Sequence, residues 1–385
     1  MKVPLLDLKA QYRQIEKEIK RAIDGVLESQ MFILGETVRS FEEKAAAYCE
    51  VEFAYSCASG SDAILLALEA LGVSDGDEVI TTPFSFFSTA SYIVRLGAVP
   101  KFVDIDPRTF NIDAEKIEAA ISEKTKAIMP VHLFGQMAEM AKIMEIAGRH
   151  GIPVVEDAAQ AIGARYDGKA AGSMGAVGAF SFYPTKNLSC YGDGGLMTTS
   201  DSAVAGRLDW LRRHGETGKN RHTMLGINSR LDALQAAVLS AKLPYLDEWN
   251  KARRANAHLY DELFRQLEID PEVVRTPYSI AAENSDHRHV YHLYTLRVRD
   301  RDRLSDRVRD RDRLSEFLRE RAIGHLIAYP VPLYLQPCFA FLGYEKGLCP
   351  ETERAVGEVI SLPVYPELTR EQIEQVVAAV AEFYR

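Results

Sequence analysis

The sequence predicts an α/β protein in which a mostly parallel sheet of seven strands is sandwiched by helices, with a smaller α+β region after it. Short apolar runs, typical of strands, alternate with helical stretches over the first half of the chain. Strands that are apolar throughout indicate a parallel sheet covered on both faces. The strand runs are 53–58, 77–82, 100–105, 126–132, 152–157, 178–183 and 194–199.

Helices are predicted from apolar residues that recur three and four positions apart. This spacing covers residues 9–49, and it returns in "SDAILLALEALG" (61–72) and "MAEMAKIMEIAGRHG" (137–151) between strand runs. In the first of these segments the recurring residues are Tyr12, Ile15, Ile19, Ala22, Ile23, Val26 and Leu27. In a sheet covered by such helices, the ligand site is expected outside the carboxyl ends of the strands.

The pattern changes after residue 230. Residues 230–264 read as a helix that Pro244 interrupts, and strand-like "VYHLYTLRV" is followed by further helices as far as "REQIEQVVAAVAEFY". We therefore predict three parts: an N-terminal helical arm (1–30), a large α/β domain (31–240) and a small α+β domain (241–385).

The composition excludes several classes of protein. The 385 residues carry a formal net charge of −9, whereas a general nucleic-acid binder needs clustered Lys and Arg. No run approaches 18 apolar residues and the N-terminus has no signal-like apolar segment, so we expect a cytoplasmic protein without membrane spans. Five cysteines without C-x-x-C spacing suggest neither a disulfide framework nor a zinc site.

A charged decapeptide is duplicated in tandem. Residues 298–307, "VRDRDRLSDR", are followed by "VRDRDRLSEF", with eight of ten positions identical. One copy suffices to leave the strand and start a helix, with Ser315 or Asp312 near its first turn. The other copy lacks an apolar stripe, so we expect it to protrude as a charged loop or a short solvated helix.

A first candidate for ligand binding is the segment "SCASGSDAILL". A strand run ends at Cys57, and Gly60 and Ser61 lie at the start of a helix. Free N–H groups and the helix dipole at that point favour a phosphate, and Gly60 permits close approach. The alternative is a plain serine N-cap.

Two further candidates follow later strands. Asp157 ends the run "IPVVED", where a buried carboxylate could either cap a helix or hold the proton of a heteroaromatic nitrogen. Lys186 follows "FSFY" at the same edge; a lysine is most often a surface residue, but partial burial would favour its neutral, nucleophilic form. Ser181 could donate a hydrogen bond to an anion.

A phosphate pocket, an acid for a ring nitrogen and an amine for an aldehyde are together what pyridoxal 5′-phosphate requires. A metal site is the weaker alternative. His132, His214 and His222 are scattered, and a strand over "HRHVYH" (287–292) would place its histidines on two faces. We predict no metal.

These stretches resemble the DegT family of nucleotide-sugar aminotransferases, fold type I pyridoxal-phosphate enzymes, over nearly the whole chain. The "SFYPTKNL…YGDGG" and "EDAAQ" pair is highly specific. The matching stretches are "DGDEVITTPFSFFSTA", "VDIDPRTFNID", "VHLFGQMAEM", "PVVEDAAQAIGA", "FSFYPTKNLSCYGDGG", "NSRLDALQAAVL" and "YPVPLYLQPCF".

The resemblance implies a role for each residue around the cofactor ring. Lys186 would be the Schiff-base lysine and would then shuttle protons. Asp157 would pair with the pyridinium nitrogen, Gln160 would lie beside the ring hydroxyl, and Phe86 would stack on the ring face, with a core aromatic as its alternative.

It also implies residues for the anionic groups. Gly60, Ser61 and Ser181 would bind the phosphate, and Asn228 would reach it from the neighbouring subunit, which implies a homodimer with shared active sites. Arg230 would meet the substrate's anionic groups, with a surface arginine as the alternative.

The implied reaction moves an amino group from an amino acid, with L-glutamate and 2-oxoglutarate as the expected pair, to a nucleotide-linked keto sugar. The product would be an amino sugar for polysaccharide or secondary-metabolite biosynthesis. The stretch "YPVPLYLQPCFAFLGYEKG" is more similar to relatives acting on 3-keto than on 4-keto sugars. A non-catalytic regulator of the same fold is one alternative; a pyridoxal-phosphate sugar dehydratase is another, but those relatives replace the lysine with histidine.

The sequence departs from the family pattern near its sugar pocket. Ala328 stands where relatives commonly carry an aromatic residue or histidine, and Tyr334 stands where they carry histidine. In the family this region lines the sugar pocket, so the resemblance places both residues there and makes them relevant to which sugar is bound.

Overall fold

The structure is a computed structural model that describes residues 2–267, 269–270, 272–280, 286–299 and 310–384. The helices in these ranges are α1 Leu8–Gln14, α2 Glu16–Ser29, α3 Gly35–Cys49, α4 Gly60–Ala70, α5 Ser88–Arg95, α6 Ile117–Ala120, α7 Met140–His150, α8 Ser202–Leu211, α9 Ala233–Lys242, α10 Leu246–Gln266, α11 Asp310–Glu320, α12 Pro350–Glu358 and α13 Arg370–Tyr384. The strands are β1 Phe53–Cys57, β2 Glu78–Thr81, β3 Val99–Phe102, β4 Thr125–Met129, β5 Val155–Asp157, β6 Arg165–Tyr166, β7 Lys169–Ala170, β8 Val177–Ser181, β9 Gly195–Thr199, β10 Glu216–Gly218, β11 Arg221–His222, β12 Val274–Arg275, β13 Tyr294–Val298 and β14 Val359–Leu362.

The main sheet has the strand order β3-β2-β4-β5-β8-β9-β1. β2 pairs in parallel with β3 and β4, β5 pairs in parallel with β8, and two parallel bridges, Ile128 to Val154 and Val131 to Asp157, join β4 to β5. Only β9 runs antiparallel to its neighbours within this sheet. The predicted mostly parallel, seven-stranded sheet is confirmed, and the carboxyl ends of β1, β2, β5 and β8 share one edge.

Helices cover both faces of this sheet. Successive strand residues point to opposite faces, and they accordingly belong to different hydrophobic clusters: Val154 and Phe180 to one, Val155 and Ala179 to the other. The first cluster includes residues of α3, α7 and α9, and the second includes residues of α4 and α8. The continuous apolar strands of the sequence are explained by this burial on two sides.

The helical pattern predicted for residues 9–49 is three helices rather than one. Ile15, with φ −123°, separates α1 from α2. Gln30 and Leu34 have φ of 54° and 55°, values that a helix interior does not accommodate, so the chain turns between α2 and α3. Apolar spacing does not reveal these breaks because the buried residues stay in helical register on either side.

The C-terminal part is built on a second, antiparallel sheet of order β12-β13-β14. The break predicted at Pro244 is a 3-10 turn, Leu243–Tyr245, between α9 and α10. Side chains of α10, α11 and α13 pack on this sheet around Leu296, Leu314 and Val380, all fully buried. The segment is therefore α+β, as predicted.

The N-terminal residues reach this second core. Val3 is fully buried in it and bridges Ile323, while Asn250 of α10 contacts Asn187 and the Ile162 carbonyl in loops of the main sheet. The boundaries 1–30, 31–240 and 241–385 remain predictions.

The duplicated decapeptide lies partly outside the described residues, which omit 300–309. Val298 of the first copy ends β13 and pairs with Val274. The helix start predicted near Asp312 or Ser315 is confirmed, since Asp312 lies in the first turn of α11, whereas most of the copy expected to protrude lies outside the described residues. Residues 310–317 begin α11 and bury Leu314, because Leu318, one turn later and beyond the repeat, completes an apolar stripe.

Candidate functional site

A cavity of about 650 Å³ opens at the sheet edge where the carboxyl ends of β1, β2, β5 and β8 meet. This is the position expected for a ligand in an open α/β sheet. Seven of the residues predicted from the sequence line it: Gly60, Ser61, Phe86, Asp157, Gln160, Ser181 and Lys186.

One end of the cavity is formed by the start of α4. Ser59 caps this helix, since its hydroxyl accepts a hydrogen bond from the Asp62 amide at 3.1 Å. Gly60 packs so tightly on β8 that a Cβ there would lie 2.5 Å from the Cβ of Ser181. A serine cap and an anion site can therefore occur together at this helix start. The helix N-terminus, Ser61 and Ser181 are suited to hold a phosphate.

Asp157 is buried at the end of β5. Its Oδ2 accepts a hydrogen bond from Thr89 Oγ1 at 2.9 Å, and its Oδ1 accepts one from the Ala159 amide at 3.3 Å. No helix follows it among the described residues 158–163, so the helix-cap alternative is wrong. Burial raises the pKa of Asp157, while the Thr89 and Ala159 hydrogen bonds and the Lys186 charge oppose that rise. A buried carboxyl in this position is suited to a cationic partner.

Lys186 projects from a turn after β8. The turn is closed by its amide, which donates to the Tyr183 carbonyl at 2.8 Å, and by the Cys190 amide, which donates to the Phe182 carbonyl. Burial lowers the pKa of Lys186 to about 8, against the opposing attraction of Asp157. Within the described residues its Nζ makes no hydrogen bond or ion pair. The amine is therefore held at the cavity in a form that can react with an aldehyde.

Gln160 and Phe86 frame the rest of the ring-sized space. Gln160 accepts a hydrogen bond from the Phe134 amide at 2.8 Å and donates one to Tyr329 at 2.6 Å. Phe86 is 57% exposed although it lines the cavity, so its ring is available to a ligand. The alternative that Phe86 is a core aromatic is wrong.

Asn228 and Arg230 do not line the cavity of this chain. Asn228 is exposed, and Arg230 is partly buried with an Nε that has no hydrogen-bond partner among the described residues. Nearby, Met31 is 57% exposed and Ile33, which bridges Asp232, is 46% exposed. Their roles in a shared site stay predictions.

Sequence reasoning missed several residues of the cavity or its support. Thr89 is a hydrogen-bond partner of Asp157, and Tyr329, His292 and Arg253 line the cavity from the C-terminal part of the chain. Thr89 stands in the polar stretch after β2, which is a usable signal. The other three carried none, because nothing local in the sequence places β13 or α10 beside the sheet edge.

The two departures from the family pattern lie in different surroundings. Ala328 lines the cavity, so its small size bears on the ligand. Tyr334 does not: its hydroxyl donates to Glu353 at 2.5 Å and accepts from the Cys349 amide at 3.3 Å. The expectation that both residues line the pocket is wrong for Tyr334.

The three histidines of "HRHVYH" have separate partners. His287 lies 3.1 Å from Asp167, His289 stacks on Tyr291, and His292 contacts Asn187. Within the described ranges, no three His, Cys, Asp or Glu side chains are grouped to hold a metal. In the same ranges no helix is both long and apolar enough to cross a membrane.

Together these residues fit pyridoxal 5′-phosphate. Gly60 and Ser61 at the start of α4 line the cavity beside Ser181 and suit a phosphate, the buried carboxyl of Asp157 suits a protonated ring nitrogen, and Lys186 offers an unpaired amine. Each group is supplied by a different strand end, and the sheet brings them to one cavity.

Comparison with known proteins agrees with this arrangement. The chain is 50% identical to a "Pleiotropic regulatory protein" of Geobacillus stearothermophilus, over 100% of this chain and 99% of that protein. It is 39% identical to a UDP-N-acetyl-3-dehydro-alpha-D-glucosamine 3-aminotransferase of Acidithiobacillus ferrooxidans, over 98% and 97%. Among solved structures, S. venezuelae DesV in complex with a ketimine intermediate matches with a TM-score of 0.92 and 40% identity, over 100% of this chain and 99% of that one.

A profile of the DegT/DnrJ/EryC1/StrS aminotransferase family matches residues 13–381. Aminotransferases of this family depend on pyridoxal phosphate, for which the cavity residues are suited. The chain therefore belongs to the DegT/DnrJ/EryC1/StrS aminotransferase family.

Proposed function

We propose that the protein transfers an amino group from L-glutamate to the 3-keto group of a nucleotide-linked sugar. The observation that carries the proposal is the unpaired amine of Lys186 in one cavity with the buried carboxyl of Asp157 and the N-terminus of α4. The preference for a 3-keto sugar is supported by a relative named as a 3-aminotransferase.

The cavity residues have different roles, which follow from their positions around the cofactor site. Bound pyridoxal phosphate supplies an electron sink for the carbon that carries the amino group. The amides of Gly60 and Ser61 and the hydroxyl of Ser181 would hold the phosphate, and Phe86 would cover the ring. Asp157 would keep a proton on the ring nitrogen, and Thr89 and the Ala159 amide hold its carboxylate in place.

Lys186 carries protons between substrate and cofactor atoms. Its lowered pKa, about 8, makes the neutral amine accessible near neutral pH, so it can accept a proton and return it. Apolar cavity residues such as Val131, Leu293 and Ile327 limit water around this amine. Proton transfer within the site is favoured over loss of the proton to solvent.

A non-catalytic regulator is the alternative from another class, and a regulatory name is attached to one relative. The intact pair of Lys186 and Asp157 favours the enzyme, because a regulator has no need of an unpaired amine in a buried cavity.

Spectroscopy separates the two. The purified protein is expected to carry an absorbance band at the edge of the visible range that L-glutamate bleaches and a 3-keto sugar nucleotide restores. A panel of keto-sugar nucleotides would identify the sugar. A band unaffected by any amino acid would contradict the proposal in favour of the regulator.

We also propose a homodimer in which Asn228 and Arg230 complete the partner's site. Support comes from the exposure of Asn228 and of the apolar residues Met31 and Ile33, the second of which bridges Asp232, four residues after Asn228.

Hybrid dimers test this arrangement. Mixing Lys186→Ala with Asn228→Ala chains should give one site with both lesions and one with neither, so activity should partly return. Absence of recovery despite demonstrated subunit exchange would show that each chain has a self-contained site.

A further inference from the structure

His292 lines the same cavity as Lys186, although it comes from the C-terminal part of the chain, two residues before β13. The residue is only 9% exposed. Its Nδ1 lies 3.2 Å from Oδ1 of Asn187, the residue that follows the lysine. The histidine is thus attached to the turn that carries Lys186.

The hydrogen bonds of Asn187 determine which ring nitrogen of His292 carries the proton. Asn187 Nδ2 donates to the Val290 carbonyl at 3.0 Å and to Asn250 Oδ1 at 2.8 Å. A backbone carbonyl only accepts, so the amide nitrogen faces Val290 and the amide oxygen faces His292. Nδ1 must therefore be the donor, and Nε2 retains a lone pair.

That lone pair is unused within the protein. Nε2 of His292 takes part in no hydrogen bond among the described residues. Unlike Nε of Arg253, it is not a fully buried atom without a partner, so it is accessible. Because the ring lines the cavity, the accessible Nε2 opens into it.

The surroundings keep the ring neutral. Burial lowers the pKa of His292 well below its ordinary value, and the positive charges of Lys186 and Arg253 lower it further. The positive charges of Lys186 and Arg253 disfavour a third cation near this neutral ring, so Nε2 is not suited to an ammonium group. A carboxylate has no proton to donate. The group that meets both conditions is a neutral donor, and hydroxyls are the neutral donors common to all sugar rings, whereas an amide N–H occurs only on N-acylated sugars.

We propose that His292 is a sugar-binding residue whose Nε2 accepts a hydrogen bond from a ring hydroxyl of the keto-sugar substrate. The proposal rests on the proposed function and adds the group that orients the sugar toward Lys186. Since L-glutamate has no hydroxyl group, the contact belongs to one half-reaction only.

The test measures the two half-reactions separately, by the change in cofactor absorbance. His292→Phe should lower kcat/KM for the keto sugar about 10-fold or more and leave the L-glutamate half-reaction within about twofold, because a lost hydrogen bond to a buried acceptor site is of that size. His292→Gln, which can accept through its amide oxygen, should recover part of the loss. His289→Phe is the matched control, since His289 is also buried but does not line the cavity.

A second measurement uses no variant and no turnover. Calorimetric binding of the amino-sugar nucleotide product to the protein without cofactor should weaken about 10-fold when one ring hydroxyl is removed from the product. Binding to His292→Phe should be insensitive to that same removal. Cofactor absorbance and thermal unfolding establish that each variant is folded.

Three outcomes contradict the proposal. An equal fall in both half-reactions would assign His292 to positioning Lys186, and no change in either would make it a core histidine. If no deoxy product loses affinity, the hydroxyl contact does not exist. A wild-type protein that reacts with glutamate but with no keto sugar would instead overturn the proposed function.

Discussion

Two lysines in this protein, one partly buried and one fully buried, have the same lowered pKa and different surroundings. Burial lowers the pKa of both Lys186 and Lys242 to about 8. Lys242 Nζ donates to the carbonyl and the hydroxyl of Ser189 at 2.8 and 3.1 Å and lies 4.4 Å from the centre of the Tyr191 ring. Lys186 Nζ has no such partner among the described residues, and it lines the cavity. A lowered pKa therefore does not by itself identify a reactive lysine.

The two lysines differ in their access to the cavity and in their hydrogen-bond partners. Lys242 is 1% exposed and uses its hydrogen bonds to hold the segment that follows Lys186. Lys186 shares its cavity with Asp157 and the start of α4, which supply what a phosphorylated aldehyde cofactor needs. We propose that Lys242 maintains the turn and that Lys186 reacts from it.

The largest effect on turnover is expected from replacing Lys186, the lysine that lines the cavity. Lys186→Ala should lower turnover by at least about 10³-fold, because it removes both the nucleophile and the proton carrier. The fold and part of the cofactor affinity should persist through the phosphate contacts and Asp157. Turnover and cofactor retained after gel filtration measure this, with Lys242→Met as the control; comparable loss of turnover in the control would contradict the distinction.

Asp157→Asn should lower kcat by roughly 10²-fold while cofactor still binds. The neutral amide cannot keep a proton on the ring nitrogen, and a group that acts mainly in the transition state affects kcat more than KM. Thr89→Val, which removes only one hydrogen bond to Asp157, should cost less. A near-normal kcat for Asp157→Asn would reduce this carboxylate to a structural role.

The pH dependence of chemical labelling sharpens the comparison. In the protein without cofactor, acetylation of Lys186 should rise with pH through a midpoint near 8, because only the neutral amine reacts and its pKa lies below the ordinary lysine value. Lys242 should label about 10-fold more slowly at every pH, since its pKa is similar but its amine is enclosed. Mass spectrometry of the labelled peptides measures both acetylation rates. Equal labelling of the two lysines would show that their amines are equally accessible, which contradicts the comparison.

The smallest effect is expected from removing one copy of the duplicated decapeptide. Deleting residues 298–307 joins Arg297 to Val308, so an identical "VRDRDRLS" supplies the end of β13 and the start of α11. Shortening a connection of this size changes the closure free energy by about 1 kcal/mol or less. We predict kcat and cofactor binding within about twofold, and stability the same or slightly higher, by steady-state kinetics and thermal unfolding. A large loss of activity or of dimer would show that the insert contacts a substrate or partner.

The sequence was sufficient for the parts of the site that depend on one strand end. Asp157 ends β5 and Ser181 ends β8, and Lys186 lies five residues beyond, so knowledge of strand ends and of parallel pairing brings them together. Thr89 was within reach of the same reasoning. His292 and Tyr329 were not, because their place in the cavity depends on how the C-terminal part packs against the sheet.

Two residues of the C-terminal part show what a short motif leaves out. The buried partner of Leu314 on α11, Leu318, lies just outside the repeat. The motif position of Tyr334 predicts a place in the pocket, but its hydroxyl contacts Glu353 and the Cys349 amide, which lie 19 and 15 residues further along the chain. The burial of Leu314 thus depends on the helix beyond the repeat, and the contacts of Tyr334 depend on a later segment.

The most direct test of the central claim is borohydride reduction of the protein with its cofactor bound, followed by peptide mapping. Reduction fixes the cofactor to whichever lysine carries it. We predict that the label is found on Lys186 alone, that Lys242 is unlabelled in the same digest, and that the label is completely lost in Lys186→Ala. A label on Lys242, or on any other lysine, would contradict this claim.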